Sequence, residues 1–191
     1  TKLLSNGCYA VMVTAAGSGY SRWGDLAVTR WREDATCDDW GSYVFLRDVV
    51  SGKVWSAGFQ PSGVEPDSYE VVFDEDRAQF TRHDGTLTTV QEILVSAEDD
   101  AEVRRISLTN AGSHEREVEL TSYCELVLAP QAADVAHPAF SKLFVQTEYL
   151  ADEGAVLATR RRRSPDEPEV WAAHLAVLDG AAVGKIEVET D

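Results

Sequence analysis

The sequence predicts an all-β protein built as an antiparallel sandwich with few or no helices. Three observations lead to this fold class. Apolar and polar residues alternate with a period of two, turn-forming residues recur at short intervals, and the apolar spacing of amphipathic helices is almost absent. About a dozen strands at such spacing indicate an antiparallel sandwich rather than alternating strands and helices.

The strongest strand pattern is REVELTSYCELVLA, at residues 116–129. Apolar residues of one parity alternate there with polar residues of the other, so one face of this strand is predicted to be buried. A helix would scatter the same apolar set around its circumference. The apolar positions are Val118, Leu120, Cys124, Leu126 and Leu128, and the polar ones are Glu117, Glu119, Thr121 and Glu125.

Similar strand-like runs follow one another along the chain, and turn residues separate them. The Asp84-Gly85 step predicts a hairpin, and residues 110–113 likewise predict a tight connection to the strand at 116–129. Further turns are predicted at residues 51–53 and 152–154. In order, the runs are CYAVMVTA, SYVFLRDVV, KVWSA, SYEVVF, RAQFTRH, TLTTVQEILVS, VRRISLTN, FSKLFVQTEY, AVLATR, VWAAHLAVLD and KIEVE.

Three segments do not show the strand pattern. Residues 16–41 are rich in glycine, tryptophan, arginine and aspartate and are interpreted as a long loop. Residues 129–139 predict a loop with a short helical turn, and residues 160–168 predict a charged surface loop. No repeat or linker divides the sequence, so residues 1–191 are predicted to form one β-sandwich domain.

Composition excludes several classes of partner. The formal net charge of −16 argues against nucleic acid and against an anionic membrane surface, because both need a basic face. No run approaches the roughly 18 apolar residues that span a bilayer, and the first residues lack the features of a signal peptide. Three widely spaced cysteines predict neither a disulfide framework nor a zinc site, and a reducing cytoplasm fits them best.

The short motifs of catalytic and cofactor sites are weak or missing. GSGYSR, at residues 17–22, begins like a dinucleotide fingerprint, but it lacks the third glycine and a following helix. The four histidines are too far apart to predict a metal site, and no nucleophile elbow is present. The arginines at 160–163 are flanked by acids, so a solvated loop is favoured over a grip on phosphate.

The segment from residue 20 to residue 40 is the strongest binding candidate. It holds three of the five tryptophans together with three arginines and several acids. Indole faces suit the C–H faces of pyranose rings, while arginine and aspartate suit vicinal hydroxyls. An equally open alternative is a structural plug, in which the tryptophans cap the sandwich and the arginines neutralise the acids. The candidate substrate-binding residues are Tyr20, Arg22, Trp23, Asp25, Arg30, Trp31, Arg32, Asp34 and Trp40.

Several longer runs carry a resemblance to a known family. They are LLSNGCYAVMVTAAGSGYSRWGDLAVTRWREDATCDDWGSYVFLRD, WSAGFQPSGVEPDSYEVVF, RHDGTLTTVQEILVS, EVRRISLTNAGSHEREVELTSYCELVLA and HPAFSKLFVQTEY. Over essentially its whole length the chain resembles the β-sandwich that begins the phosphorylase-like region of cyclic β-1,2-glucan synthases. That region belongs to glycoside hydrolase family 94, with cellobiose, cellodextrin and chitobiose phosphorylases as relatives. The resemblance implies a β-supersandwich similar to the galactose-mutarotase sandwich.

The resemblance also implies what surrounds this domain. In the family a helical (α/α) barrel follows the sandwich and carries the general acid, so no catalytic residue, cofactor or metal is assigned here. Arg30, Trp31 and Arg32 match an Arg-aromatic-Arg element of the phosphorylases. The implied partners are a β-linked glucan or oligosaccharide, the chain's own barrel domain and a second copy in a homodimer, with no nucleic acid and no direct membrane insertion.

The resemblance places the chain within a larger enzyme. The chain is expected to be an excised piece of a multidomain protein, lacking a strand at one end, because the family sandwich is usually longer. The parent is implied to be anchored in the inner membrane, with this region on the cytoplasmic side.

Two functions from different classes follow from these observations. The first is a non-catalytic, carbohydrate-associated module that lines a glucan site and packs on the barrel. The second is a purely structural or dimerisation module, since tryptophan and arginine are also enriched at interface hot spots. A free-standing aldose epimerase is the least favoured alternative, because it needs a His/Glu-type acid–base pair in the sandwich groove.

Overall fold

The computed structural model describes residues 1–34, 36–162, 164–179 and 186–190. Within these ranges the chain forms fifteen β-strands and two short helices, and the pairings described between strands are antiparallel. The predicted all-β fold with few helices is therefore confirmed. The elements are β1 (Lys2–Ser5), β2 (Tyr9–Val13), β3 (Gly19–Trp23), β4 (Leu26–Thr29), β5 (Tyr43–Asp48), β6 (Val54–Ser56), β7 (Ser68–Phe73), β8 (Arg77–Asp84), β9 (Leu87–Val95), β10 (Glu102–Asn110), β11 (Val118–Tyr123), β12 (Leu126–Pro130), α1 (Gln131–Ala136), α2 (Pro138–Lys142), β13 (Val145–Leu150), β14 (Ala155–Arg160) and β15 (Trp171–Leu175).

The chain divides into two compact units, Thr1–Glu125 and Leu126–Asp191. The expectation of a single domain concerns how these two units associate, and it stays a prediction. In the part of the chain that the structure describes, no helix is long and apolar enough to cross a membrane.

The first unit contains three sheets. One has the strand order β1-β2-β3-β4, a second has the order β10-β9-β8-β7, and a third has the order β11-β5-β6. The predicted hairpin at Asp84-Gly85 is confirmed, since β8 and β9 pair from Asp84 opposite Leu87. Gly85 has a φ of +63°, a conformation that side chains with a Cβ rarely adopt.

Two apolar clusters hold the sheets of the first unit together. The first joins the β1–β4 sheet to the β7–β10 sheet, and it contains Val11 and Val13 from β2 with Phe80 and Ile93 from the facing sheet. The second joins the three-stranded sheet to the other end of β9 and to β10. It is built around Leu46 and Trp55, which are 0% and 1% exposed. Because each cluster buries one face of its sheets, apolar residues recur at every second position of these strands.

A polar band separates the two clusters on the inner face of the β7–β10 sheet. Along β9 the inward positions run from Ile93 in the first cluster, through Gln91 and Thr89, to Leu87 in the second. Arg82 pairs across from Thr89 and is fully buried. Its guanidinium makes a bidentate ion pair with Asp84, with Nε–Oδ2 and Nη2–Oδ1 distances of 2.6 and 3.0 Å. A buried arginine is tolerated only with such pairing.

The predicted strand at 116–129 is interrupted in the structure. It forms β11 and β12, with Cys124 and Glu125 between them, and most of β11 is exposed, including Leu120. The alternation therefore predicted the strands correctly but was wrong about continuous burial of one face, because β11 lies at the edge of its sheet. The turn at residues 110–113 was also misjudged as a tight connection. It links β10 and β11, which lie in different sheets, and so is not a hairpin.

The second unit contains β12, the two short helices and the three-stranded sheet β13-β14-β15. Arg160 at the end of β14 ties these parts together. Its Nη1 donates to the carbonyl oxygens of Val127 and Ser141, at 3.0 and 3.1 Å, and its guanidinium lies 5.4 Å from the ring centre of Phe144. The start of the arginine run is thus structural rather than a solvated loop, because β14 continues to residue 160.

Of the other predictions for the second unit, one is confirmed and one is wrong in part. The helical turn predicted within 129–139 is present as α1. The strand predicted from FSKLFVQTEY was wrong over its first residues, which belong to α2. The observed strand, β13, begins at Val145. Of KIEVE, residues 186–189 are described and form no strand, whereas Lys185, like Arg163 of the arginine run, lies outside the described residues.

Candidate functional site

The binding candidate predicted as a loop begins with a β-hairpin. Residues 19–29 form β3 and β4, joined by a turn in which Gly24 has a φ of +54°. The interpretation of 16–41 as one long loop was therefore wrong for this part. β3 contains no β-branched residue and β4 is only four residues long, so pairing of β3 with β2 and of β4 with β3 decides their structure. We call residues 19–40 the Trp/Arg segment.

Strand alternation distributes the side chains of β3 between the two faces of its sheet. Ser21 is buried on the inner face, so Tyr20 and Arg22 lie on the outer face and Trp23 on the inner one. Trp23 is at the strand end and 39% exposed, and its Nε1 donates to Oδ2 of Asp100 at 2.6 Å. Trp23 is thus separated from Arg22, although the two are adjacent in sequence.

Four of the predicted residues come together beside the outer face of the β1–β4 sheet. The rings of Tyr20 and Trp31 lie 5.3 Å apart between centroids, at an interplanar angle of 60°. The guanidinium of Arg32 lies 5.6 Å from the ring centre of Trp40. The backbone N–H of Gly19 donates to the carbonyl of Trp40 at 2.7 Å, which brings the two pairs near each other. We call Tyr20, Trp31, Arg32 and Trp40 the aromatic patch.

Polar contacts anchor the end of the Trp/Arg segment. Asp38 accepts a hydrogen bond from the Thr14 hydroxyl at 3.0 Å on Oδ2, and its carbonyl accepts one from the Ser18 hydroxyl. Glycine is needed at position 19, where a Cβ would overlap the carbonyl of Met12. The patch is therefore built on a paired strand and a tethered segment, which limits its freedom to rearrange.

Arg30 has a structural environment. It is 7% exposed, its Nη1 lies 2.8 Å from Oε2 of Glu125, and its backbone N–H donates to the Glu125 carbonyl at 2.9 Å. The Tyr123 hydroxyl donates to the other oxygen of that carboxylate at 3.2 Å. A guanidinium held in this way fixes the chain where it leaves β4, and little of it faces solvent.

The two acidic candidates lie apart from the aromatic patch. Asp25 is exposed in the hairpin turn. Asp34 accepts hydrogen bonds from the hydroxyl and the backbone N–H of Thr36, at 2.6 and 2.8 Å, and these bonds lower the pKa of its carboxyl. Asp34 therefore stabilises a local turn.

A polar hollow at another end of the first unit was missed from sequence. It has a volume of about 300 Å³ and is lined by Lys53, Trp55, Glu65, Asp67, Asp84 and Arg116. These residues come from four separate stretches of the chain, each of which reads as an ordinary turn or strand end. No local motif could have indicated the hollow, because only the packing of the sheets brings its walls together.

Metal and disulfide chemistry has no evident site in the part of the chain that the structure describes. No group of three or more His, Cys, Asp or Glu residues there has the arrangement of a metal site. Cys8, Cys37 and Cys124 are free thiols. Burial raises the pKa of the Cys124 thiol, as expected for a small, largely buried side chain.

The fold and these contacts can be compared with known proteins. The supersandwich domain of the glycosyl hydrolase 94 family matches residues 1–191. The chain belongs to this family. It is 42% identical, over its full length, to the cyclic beta-(1,2)-glucan synthase NdvB of Rhizobium meliloti (strain 1021). The family and the synthase likeness that the sequence runs indicate are thus confirmed.

Phosphorylases of the same family are more distant relatives. The chain is 24% identical over 76% of its length to solabiose phosphorylase of Paenibacillus borealis. It is 25% identical over 78% of its length to N,N'-diacetylchitobiose phosphorylase of Vibrio furnissii. The matched region is 7% of the synthase and 17% and 19% of the two phosphorylases. This supersandwich domain thus spans less than a fifth of each relative.

Proposed function

We propose that this supersandwich domain is a non-catalytic, carbohydrate-associated module of an enzyme that makes cyclic β-1,2-glucan. In this proposal the aromatic patch borders a glucan site, and a helical barrel elsewhere in the enzyme completes the site and supplies the general acid. The observation that carries the proposal is the clustering of Tyr20, Trp31, Arg32 and Trp40 beside one sheet face. The identity to the glucan synthase supports the substrate class.

The chemistry of the patch suits a pyranose ring. Tilted aromatic rings present faces to the axial C–H groups of a sugar, and a guanidinium offers several donors to its hydroxyls. Nε of Arg32 is buried without a hydrogen-bond partner in the described part of the chain, so its guanidinium is not fully used by the fold. The domain would orient a glucan chain, while bond making and breaking occur on the barrel.

The original set of nine candidates divides under this proposal. The aromatic patch contacts sugar, and Arg22, on the same face as Tyr20, is the nearest additional candidate. Trp23, Arg30 and Asp34 act through the structure, because each is engaged by a neighbour within the domain. Asp25 lies in an exposed turn and has no role in this proposal.

The outer face of the β1–β4 sheet also suits a protein neighbour. Leu3 lies opposite Met12 on β2, and Met12 lies opposite Tyr20 on β3, so these three residues form an apolar row across the sheet. Leu3 is 59% exposed. We propose that this row packs against the barrel of the same enzyme, on the cytoplasmic side of the membrane that anchors it. A second copy of the chain is the alternative occupant, and a dimer that Leu3→Gln abolishes would favour it.

The decisive experiment changes the patch in the complete enzyme. Trp31→Ala combined with Arg32→Ala should weaken glucan affinity about tenfold, because one stacked ring and one cationic donor are lost. The size distribution of the cyclic products should change in parallel. Trp23→Phe is the matched control, since it alters a tryptophan on the opposite face. An unchanged product distribution in the double variant would reject the role in sugar binding.

A further inference from the structure

We propose that the polar hollow is a second carbohydrate-binding site, one that accepts a single glucose unit of a β-linked glucan. The hollow shares no residue with the aromatic patch. The choice of ligand rests on the proposed function, whereas the site itself rests on the geometry of its walls.

The walls come from both layers of the sandwich. Lys53 directly precedes β6, and Trp55 within β6 lies opposite buried Leu46 on the inner face of its sheet. Asp84 belongs to the facing β8–β9 hairpin. The hollow therefore lies where the ends of two sheets come together. Its volume of about 300 Å³ is at the lower end of the usual range for small-molecule sites.

The framework of the hollow is fixed by contacts behind its surface. The Asp84 carboxylate is held by the buried guanidinium of Arg82, and Lys53 Nζ lies 4.0 Å from Asp84 Oδ1. Oδ2 of Asp67 accepts the backbone N–H of Gly85 at 2.6 Å. These contacts hold the two acidic walls in place without using all of their acceptor positions. A framework of this kind needs little reorganisation when a ligand binds.

Other groups around the hollow keep unused hydrogen-bonding capacity. Glu65 is exposed and makes no hydrogen bond or ion pair within the described ranges. Trp55 is 1% exposed, and its Nε1 has no hydrogen-bond partner among the described residues. A buried donor left unpaired beside a polar hollow is usually satisfied by a ligand or an ordered water.

The charges of the walls favour a neutral ligand with many hydroxyls. Arg116 is paired with Asp48, at 2.7 Å from Nη2 to Oδ2, and Asp84 is paired with Arg82. Lys53 is only distantly paired with Asp84, at 4.0 Å, so its ammonium and the unused acceptor positions of Glu65 and Asp67 can contact a ligand. A sugar can donate to the carboxylates and accept from the ammonium at the same time. A divalent cation fits less well, because the described acids include no group with the arrangement of a metal site.

The five tryptophan indole N–H signals of the chain allow a direct test by NMR. The intact 191-residue chain, labelled with ¹⁵N, is titrated with the β-1,2-linked glucose disaccharide. We expect the Trp55 indole signal to shift and saturate. Glu65→Ala should raise the resulting Kd about tenfold, because a hydrogen bond to a charged group is lost. Glu70→Ala, which changes an exposed carboxylate on β7 outside the hollow, should leave the Kd unchanged.

Each result of this titration has a definite meaning. A Trp55 signal that stays in place, whatever the other four signals do, overturns the site. A Trp55 shift with the same Kd in Glu65→Ala as in the wild type also overturns it. The proposed role of the aromatic patch is tested separately by the product distribution of the Trp31/Arg32 double variant, so either proposal can fail alone.

Discussion

The outer faces of two sheets in the first unit differ in how fully their side chains pair with one another. On the β7–β10 sheet, Glu92 lies between two arginines, with its Oε1 3.2 Å from Arg77 and its Oε2 2.7 Å from Nε of Arg105. On the β1–β4 sheet, the outer face carries the apolar row from Leu3 to Tyr20. Ion pairs occupy the middle of the first face, although Val72 and Val103 are also exposed there, whereas the apolar row on the second face lies beside half-buried aromatic rings, which favours a partner.

The difference predicts that structure and function can be separated by mutation. Substitutions on the charged face should change stability and leave glucan handling unchanged. Substitutions in the aromatic patch should do the reverse. The following predictions test this separation.

The largest effect on stability is expected at Arg30. Arg30→Ala leaves Glu125 without its guanidinium partner in a largely buried position, and should lower the free energy of unfolding by about 2–3 kcal/mol. Urea denaturation measures this loss. Arg47→Ala is the matched control, because its pair with Glu119 is half exposed and should contribute about 0–1 kcal/mol. Equal losses in the two variants would contradict the structural role of Arg30.

A smaller loss is expected on the charged face. Glu92→Ala removes the acid between Arg77 and Arg105 and should cost about 1 kcal/mol, since both arginines are partly exposed and can be solvated. The loss should shrink at high salt, because screening weakens the same pairs in the wild type. Denaturation at low and high salt tests this, and a loss that does not depend on salt would argue for packing instead.

Acid should reveal a contribution from Asp48. Hydrogen bonds from Ser51, together with Arg116, hold the pKa of this carboxyl below its ordinary value of 3.8. The resulting stability is present above pH 3.8 and is lost as the pH falls towards the lower folded-state pKa. Asp48→Asn should therefore flatten the acid limb of a plot of stability against pH. An unchanged acid limb in this variant would show that Asp48 does not contribute.

The smallest change in stability is expected at Leu3. Leu3→Gln alters an exposed residue, so the free energy of unfolding should move by no more than about 0.5 kcal/mol. Packing against a neighbouring domain should weaken nonetheless, and limited proteolysis of the complete enzyme should then release the domain faster. Unchanged proteolysis would show that the apolar row has no partner.

Sequence patterns predicted the strands with regular alternation and the hairpin at Asp84-Gly85, because both depend on neighbouring residues. They failed for the short strands β3 and β4, whose structure is decided by pairing of β3 with β2 and of β4 with β3. They also predicted burial along β11, although its position at a sheet edge leaves Leu120 exposed. The position of a strand within a sheet depends on the whole topology, so no local pattern could supply it.

The candidate site shows the same limit. Composition drew attention to residues 20–40, but it could not divide Trp23 from Trp31, because that division depends on which face of β3 each side chain meets. Arg30 and Arg32 are two residues apart, yet one pairs with Glu125 and the other lies over Trp40. The polar hollow is assembled from four distant stretches and left no local signal.

Hydroxyl-radical footprinting of the complete enzyme tests the contrast between the two faces most directly. Met12, the single methionine of the chain, lies in the apolar row, and His83 is exposed on the opposite sheet. After correction for intrinsic reactivity, we expect Met12 and Tyr20 to be protected and His83 to be oxidised freely. Oxidation of Met12 and Tyr20 at the rate of His83 would show that the outer face of the β1–β4 sheet meets only water, and would contradict the proposed contact surface.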